Sequence, residues 1–340
     1  MEPSSLTLFW AGAIALSIFV YVILDGFDLG VGVLFGTTNE DTRRVQMMNA
    51  IAPFWDGNET WLVIIGASLF AAFPVVYAVF LSAFYLPVLL MLFGLIFRGI
   101  AFEFRDRAGS MRWFWDRGFF LGSVIVAFVQ GAAIGAMMRG VPVANNQYAG
   151  DAFGWLHPFP VLTGIGLVLG YALLGAGWLV LKSEGTLRDW AYVRIPWLIG
   201  GVFLALGLAF LVSLTVDAGA IAQSNLRDRH WGIAFPILAV AALIGVVTCA
   251  RARRDELPFP LTVLFFLASY LTLGVMFWPF MVPYSITVAD AAAPDVSLGF
   301  FFYGGVIVLP VIFFYSIGVY YIFRGKDGRA VRRGRHPSHS

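Results

Sequence analysis

Long apolar segments recur along the whole chain and are separated by short polar connections. Nine segments are long enough to cross a membrane as helices, since about 20 mostly apolar residues span the hydrocarbon layer. Because no charge lies between the second and third segments, eight helices stand as the alternative. The pattern predicts an all-α integral membrane protein with helices near 7–34, 57–74, 77–101, 118–139, 158–181, 196–216, 231–250, 258–281 and 298–323.

The composition narrows the class of protein further. The 340 residues are 60% hydrophobic and 12% charged, whereas a soluble domain has about 25% charged residues. A membrane β-barrel is disfavoured, because its strands are about 10 residues long and alternate in polarity. The net charge of +2 gives no reason to expect nucleic acid as a partner. Cys249 is the one cysteine, which excludes an intrachain disulfide and a CxxC metal pair.

The basic residues predict the orientation. Of the 22 Lys and Arg, all but Arg139, Arg227 and Arg229 lie on one set of connections or at adjoining helix ends. Cytoplasmic loops carry an excess of Lys and Arg, so this set is predicted to be cytoplasmic, with the N-terminus outside and the C-terminus inside. The N-terminus has no basic region before its apolar stretch, so it is interpreted as a retained first helix rather than a signal peptide.

The order of the segments suggests two four-helix bundles and one peripheral helix. The topology is compatible with a parallel repeat, because the first and fifth helices would run in the same direction. We therefore predict a first bundle at 1–139, a second at 140–281, an outer loop and ninth helix at 282–323, and a basic cytoplasmic tail at 324–340.

Acidic residues cluster near the cytoplasmic ends of the first three predicted helices. An acid inside a membrane helix costs about 2.5–3.5 kcal/mol on insertion scales and therefore needs a reason. One explanation is a structural ion-pair knot with helix-capping acids. The other is a proton path that opens to the cytoplasm and leads to a redox or transport centre. The residues are Asp25 and Asp28 in LDGFDLGVG, Asp56 and Glu59 in FWDGNETW, and Arg98 and Glu103 in FRGIAFEFR.

The histidines do not suggest a haem site within the membrane. Haem iron needs axial His, Met or Cys ligands. His157 and His230 fall at outer helix ends, and His336 and His339 fall in the tail. The chain is therefore predicted to ligate no haem and no metal, with a single methionine ligand left open. Gly26 and the glycine four residues later predict close packing between helices.

Several motifs together resemble a known family. FVYVILDGFDLGVG, PFWDGNETWLV and FRGIAFEFR occur in that order, with FPVVYA between the second and third and WPFMVPYSITVADAA before the last helix. They resemble subunit II of the cytochrome bd-type quinol oxidases, and the resemblance runs from about Leu8 to Phe323. The chain is short for that family, which makes the cyanide-insensitive subclass a candidate.

The resemblance implies a place in a respiratory complex of the bacterial inner membrane. Such a complex oxidises quinol, reduces oxygen to water and generates a proton-motive force by taking protons from the cytoplasm. Two b-type haems and one d-type (or b-type) haem are expected in subunit I, the partner of this chain. This chain would ligate none of them and would not be catalytic alone. A structural quinone, membrane lipid and a small accessory subunit are further candidate partners.

The resemblance also implies roles for individual residues. Asp25 and Asp56 match positions assigned to proton delivery, and Glu103 matches an acid at the cytoplasmic entrance. Trp61 matches the mouth of an oxygen route, with lipid-facing packing as the alternative. Asp28, Glu59 and Arg98 are supporting candidates for the proton path. A proton-coupled secondary transporter is the rival function, and a purely structural assembly subunit is the third.

Overall fold

A computed structural model describes residues 2–213 and 228–326. These residues form twelve α-helices and two short antiparallel hairpins that lie in the longest connections. The helices are α1 Ser5–Phe35, α2 Asp41–Ile51, α3 Trp55–Ala72, α4 Pro74–Ala83, α5 Tyr85–Phe104, α6 Arg112–Arg139, α7 Pro158–Lys182, α8 Gly185–Ser213, α9 Ala234–Arg251, α10 Pro258–Phe277, α11 Val288–Ala291 and α12 Asp295–Ile322. The strands are β1 Val143–Ala144, β2 Gln147–Tyr148, β3 Phe280–Val282 and β4 Ile286–Thr287.

The predicted all-α membrane class is confirmed. Within the described ranges, eight helices are long and apolar enough to cross a membrane, namely α1, α5 to α10 and α12. The second predicted segment is α3, whose 18 residues begin with the polar sequence WDGNET. These polar turns lower its mean hydropathy, and the same turns contribute residues to the buried cluster described below.

The predicted boundaries of four segments are wrong. The segment at 118–139 begins six residues too late, because α6 starts at Arg112. The segment at 77–101 is divided between α4 and α5 at Phe84, because the ring of Pro87 would clash with the carbonyl group four residues earlier. The segment at 196–216 begins eleven residues too late, since α8 starts at Gly185 and continues through Pro196. The segment at 258–281 ends too late, because the chain leaves α10 after Phe277 and enters β3. The predicted end at 216, Arg227 and the tail after 326 lie outside the described residues.

The helix α1 lies at the centre of the packing. It contacts α3, α6 and α7, while α5 packs against α6, and α7 also contacts α8 and α10. The helix α12 packs on α3 and α1 at the side of this assembly. At the end opposite the basic connections, a second apolar core joins the start of α1 to the hairpin connections, with Trp10, Phe73, Trp155 and Ile286 among its buried members.

Glycines bring α1 and α7 into backbone contact. A Cβ atom on Gly30 would overlap the carbonyl oxygen of Tyr171, and one on Gly175 would stand 2.5 Å from the carbonyl carbon of Gly30. A Cβ atom on Gly26 would stand 2.7 Å from Cε1 of Tyr171. The predicted packing role of Gly26 and Gly30 is therefore confirmed, and this packing sets Tyr171 beside the middle of α1.

Replacing Gly30 by alanine should destabilise the protein, because the atom that would meet the new methyl group belongs to the backbone of α7. Overpacking typically costs about 1–3 kcal/mol, and a rigid backbone neighbour favours the upper end. Gly12→Ala on the same helix is the matched control, since a Cβ there meets nothing within 4 Å. Thermal unfolding in detergent should show a lower midpoint for Gly30→Ala alone, and equal midpoints for the two variants would contradict this account.

Candidate functional site

Three helices bring a buried arginine against two acids. Arg98 of α5 is 1% exposed, and its Nη1 atom lies 3.1 Å from Oε1 of Glu59 on α3. The same nitrogen lies 3.6 Å from Oδ1 of Asp25 on α1, which is 0% exposed. Asp25 is ten residues before the end of α1 at Phe35, so it lies about 15 Å inward at 1.5 Å per residue. The predicted cluster of Asp25, Glu59 and Arg98 is therefore present in the structure.

Asp28 belongs to an adjoining set of hydrogen bonds. The side-chain nitrogen of Asn58 donates to Oδ2 of Asp28 at 2.6 Å and to the carbonyl oxygen of Leu24 at 3.1 Å. The hydroxyl of Tyr320 on α12 donates to Oδ1 of Asn58 at 2.9 Å. Sequence reasoning missed Asn58, although it stands inside FWDGNETW beside Glu59. Its polarity within a helix beside the cluster was the available signal.

Several polar atoms of this cluster have no hydrogen-bond partner among the described residues. They are both carboxylate oxygens of Asp25, Oδ1 of Asp28, and Nε and Nη2 of Arg98. Buried polar groups are normally hydrogen-bonded, so these atoms keep donor and acceptor capacity for an incoming water or proton. Three carboxyl groups share one guanidinium here, so a proton has more than one group on which to reside. The arrangement is chemically suited to proton exchange.

The exposure of the charged side chains decreases stepwise from the first turn of α3 into the cluster. Asp56 is exposed, and the side chain of Glu59, one helical turn further on, is 25% exposed. Arg98 and Asp25 behind it are almost completely buried. Glu103 is exposed on α5 and is not brought into the cluster, because five residues separate it from Arg98 and turn it toward another face.

Trp61 is buried between α3 and α12. It is 3% exposed, and its indole nitrogen donates to the Oγ atom of Ser316 on α12 at 3.3 Å. Lipid-facing packing for Trp61 is therefore wrong. The tryptophan contributes, with Asn58 and Tyr320, to the contact that attaches α12 to the cluster.

A second ion network, missed by sequence reasoning, lies at the basic end of the helices. Arg105 is 1% exposed and pairs through Nε with Oδ1 of Asp116 at 2.5 Å and through Nη2 with Oδ1 of Asp41 at 2.6 Å. The hydrogen bond from Arg105 lowers the pKa of the Asp41 carboxyl. Arg44 reaches Oδ2 of Asp116 at 2.8 Å. The network attaches the connecting helix α2 to α5 and α6 and fixes the end of the helix that carries Arg98.

The amino-acid sequence of this chain matches a family of known proteins. The model of the family described as "Cytochrome bd terminal oxidase subunit II" matches residues 6–323. The chain belongs to this family. It is similar to "Cytochrome bd-I ubiquinol oxidase subunit 2" of Escherichia coli (strain K12), with 32% identity over 94% of this chain and 95% of the relative. It is also similar to "Cytochrome bd ubiquinol oxidase subunit 2" of Bacillus subtilis (strain 168), with 32% identity over 94% of this chain and 96% of the relative.

The fold agrees with this family assignment. A chain of the bd oxidase from Geobacillus thermodenitrificans superposes with a TM-score of 0.74 and 15% identity, covering 92% of this chain and 98% of that chain. The protein is therefore a multi-pass subunit of a terminal oxidase, an oxidoreductase complex of the bacterial inner membrane, and the resemblance inferred from the motifs is confirmed. Such a complex contains haem and a second subunit.

The described histidines of this chain do not fit a haem inside the membrane. His157 precedes α7 and His230 precedes α9, and both are exposed at helix ends. Within the described ranges, no group of three or more His, Cys, Asp or Glu could hold a metal ion. The buried polar set consists of carboxyl groups, an arginine, an amide and tyrosines, which suits proton chemistry better than iron ligation.

Proposed function

We propose that this chain is the non-haem subunit of a complex that oxidises quinol and reduces oxygen to water, and that its buried cluster carries protons toward the haems. In this proposal, two b-type haems and one d-type (or b-type) haem are held by subunit I. The basic end of the helices faces the cytoplasm, as the charge distribution predicts. A structural quinone and a small accessory subunit remain candidate partners, and the division at about 139 and 281 stays a prediction.

The observation that carries the proposal is the graded exposure from Asp56 through Glu59 to Asp25. The charges of three carboxyl groups, Asp25, Asp28 and Glu59, act on the single guanidinium of Arg98, so the acids of the cluster outnumber its cations. We assign Asp56 to the entrance, with Glu103 as a second surface acid. Glu59 then connects the entrance to the buried carboxyl groups, while Arg98 keeps them in place.

The transporter alternative has less support than the oxidase proposal. A transporter would place polar substrate ligands near the midplane of both halves. In the described part of the chain, the first half buries Asp25, Asp28 and Arg98 well inside its helices, and Glu59 joins them from α3. The buried charge of the second half, Lys182, is the last residue of α7, and Tyr171 further inside that helix offers a hydroxyl rather than a charge. Membership of the oxidase family also favours the oxidase.

Expression of this chain without its partner tests whether the haems are held by subunit I and not by this chain. We expect the purified chain to show no stoichiometric haem band in a reduced-minus-oxidised spectrum, because its two described histidines, His157 and His230, lie exposed at helix ends. Co-expression with subunit I should restore the full haem spectrum and quinol-dependent oxygen consumption. A stoichiometric haem band in the isolated chain that disappears on replacing one Met or His would contradict the proposal.

Trp61 is proposed to control access of oxygen to the complex. Replacing it by alanine should open a space beside α12 and change the apparent KM for oxygen several-fold. Trp155→Ala, a buried tryptophan at the opposite end, controls for the general effect of losing a large side chain. Oxygen consumption as a function of oxygen concentration checks this in assembled complexes. An unchanged KM for oxygen in Trp61→Ala would assign the residue to packing alone.

A further inference from the structure

Three polar side chains outside the acid cluster form a continuous chain of hydrogen bonds across α7, α6 and α1. The hydroxyl of Tyr171 donates to Oε1 of Gln130 at 2.7 Å, and Nε2 of Gln130 donates to the hydroxyl oxygen of Tyr21 at 2.8 Å. Tyr171 is 0% exposed and Tyr21 is 4% exposed. Buried polar groups need hydrogen-bond partners, whereas apolar side chains at these three positions would need none. The presence of these hydrogen bonds therefore calls for a reason.

The chain has a direction. A carbonyl oxygen can only accept and an amide nitrogen can only donate, so the bond from Tyr171 turns the nitrogen of Gln130 toward Tyr21. The oxygen of Tyr21 then accepts, and its own hydrogen is available to another acceptor. If the amide of Gln130 were reversed, its oxygen would accept the hydrogen of the Tyr21 hydroxyl. The lone pairs of Tyr21 would then face any neighbouring carboxylate, and their repulsion would be unfavourable.

The neighbouring carboxylate is Asp25. Tyr21 and Asp25 are four residues apart on α1, so their side chains share a helix face. Neither oxygen of Asp25 accepts a hydrogen bond of ordinary geometry from the described residues, while the hydroxyl of Tyr21 lies close enough to interact with this carboxyl group. Arg98 lies 3.6 Å away and supplies charge, at a separation beyond hydrogen-bond length. Asp25 therefore has acceptors without a donor, and Tyr21 has a hydrogen to donate.

We propose that Tyr21 is the hydrogen-bond donor to Asp25 and that Gln130 and Tyr171 are positioning residues that keep the Tyr21 hydrogen turned toward it. The inference rests on the proposed function, in which Asp25 carries a proton. It adds a fixed donor that orients the carboxyl group toward Arg98 and Glu59. Because an amide does not pass a proton along as a hydroxyl or water does, Gln130 also closes the route toward Tyr171, and a proton on Asp25 does not leave by that side.

Infrared difference spectra of the assembled complex test this directly. The carbonyl stretching band of protonated Asp25 is assigned as the band that disappears in Asp25→Asn. Loss of a donor to a carboxyl group moves this band to higher wavenumber. We expect the shift in Tyr21→Phe, and also in Gln130→Leu and Tyr171→Phe, although neither Gln130 nor Tyr171 makes a hydrogen bond to Asp25. Tyr270→Phe is the matched control. The hydroxyl of Tyr270 on α10 donates at 2.8 Å to the backbone oxygen of Ala15 on α1, the helix that carries Asp25.

The double variant Tyr21→Phe with Gln130→Leu separates positioning from general loosening. If Gln130 acts through Tyr21, the double variant should show the same band position as Tyr21→Phe alone. Three single variants are available, so failure of one to assemble leaves the other two as tests. A band that stays in place in assembled Tyr21→Phe or Gln130→Leu complexes would overturn the inference.

Turnover of Asp25→Asn distinguishes this inference from the proposed function. Normal oxygen consumption in Asp25→Asn, combined with a shifted band in Tyr21→Phe, would overturn the proton-carrying role and support the hydrogen bond. Slow oxygen consumption in Asp25→Asn, combined with an unmoved band in Tyr21→Phe, would overturn the hydrogen bond and leave the proton-carrying role standing.

Discussion

Replacing Arg98 by leucine is expected to destabilise the assembled complex by about 3–5 kcal/mol, the cost of breaking a buried ion pair from one side. Asp25 and Glu59 would then lose the guanidinium that lies within 3.6 Å and 3.1 Å of them. Thermal unfolding in detergent and the amount of haem per protein measure this loss. Arg117→Leu is the matched control, because Arg117 is exposed on α6, and surface substitutions usually change stability by less than about 0.5 kcal/mol.

Substituting the acidic partners of Arg98 as well shows whether Arg98→Leu loses stability because it leaves their charges uncompensated. Asp25→Asn and Glu59→Gln remove the charges that Arg98→Leu leaves uncompensated. The triple variant should therefore be more stable than Arg98→Leu alone, because buried neutral groups cost less than buried unpaired charges. If Arg98→Leu were no less stable than Arg117→Leu, the cluster would not depend on charge compensation as described.

Asp25→Asn is expected to slow oxygen reduction by about ten-fold or more while haem content and assembly remain near normal. Asparagine preserves the size of the side chain and cannot bind and release a proton near neutral pH. A ten-fold loss corresponds to about 1.4 kcal/mol of added barrier if this step limits the rate. Asp25→Glu should recover part of the rate, since the carboxyl group is retained. Quinol-dependent oxygen consumption per haem is the measurement.

The surface acids provide a graded comparison with Asp25→Asn. Asp56→Asn and Glu103→Gln should slow turnover less, because both residues are exposed and solvent water can deliver protons in their place. A cluster that serves only as a structural ion-pair knot predicts another pattern. In that case Asp25→Asn would turn over at the normal rate per haem and would change stability alone.

The sequence predicts the helices and the acids well, because both depend on local composition. Runs of apolar residues locate a membrane helix to within about three turns, and an acid within such a run is conspicuous. Asp25 and Glu59 can therefore be selected from the amino-acid sequence alone. The break at Phe84 was missed, because the effect of Pro87 is a weaker signal than the apolar run around it. The early start of α8 was missed, because the amphipathic residues before Pro196 are a weaker signal than the apolar run after it.

The partners of these acids could not be predicted in the same way. Which face of a helix points inward depends on packing with helices distant in sequence, so Glu103 and Arg98 appeared equivalent in one motif although one is exposed and the other buried. Gln130 and Tyr171 are single polar residues within apolar helices. Their relation to Tyr21 depends on the close contact of Gly30 with α7, which a sequence pattern suggests without naming the partner helix.

The rate of proton uptake during a single round of oxygen reduction tests the central claim most directly. Fully reduced complex is mixed with oxygen in weakly buffered solution containing a pH-indicating dye, and haem oxidation is followed at the same time. The account predicts that Asp25→Asn slows proton uptake and the haem oxidation steps that depend on it. The control Asp106→Asn, whose side chain is 75% exposed beyond the end of α5, should follow the unmodified complex. Proton uptake at the normal rate in fully assembled Asp25→Asn would contradict the account.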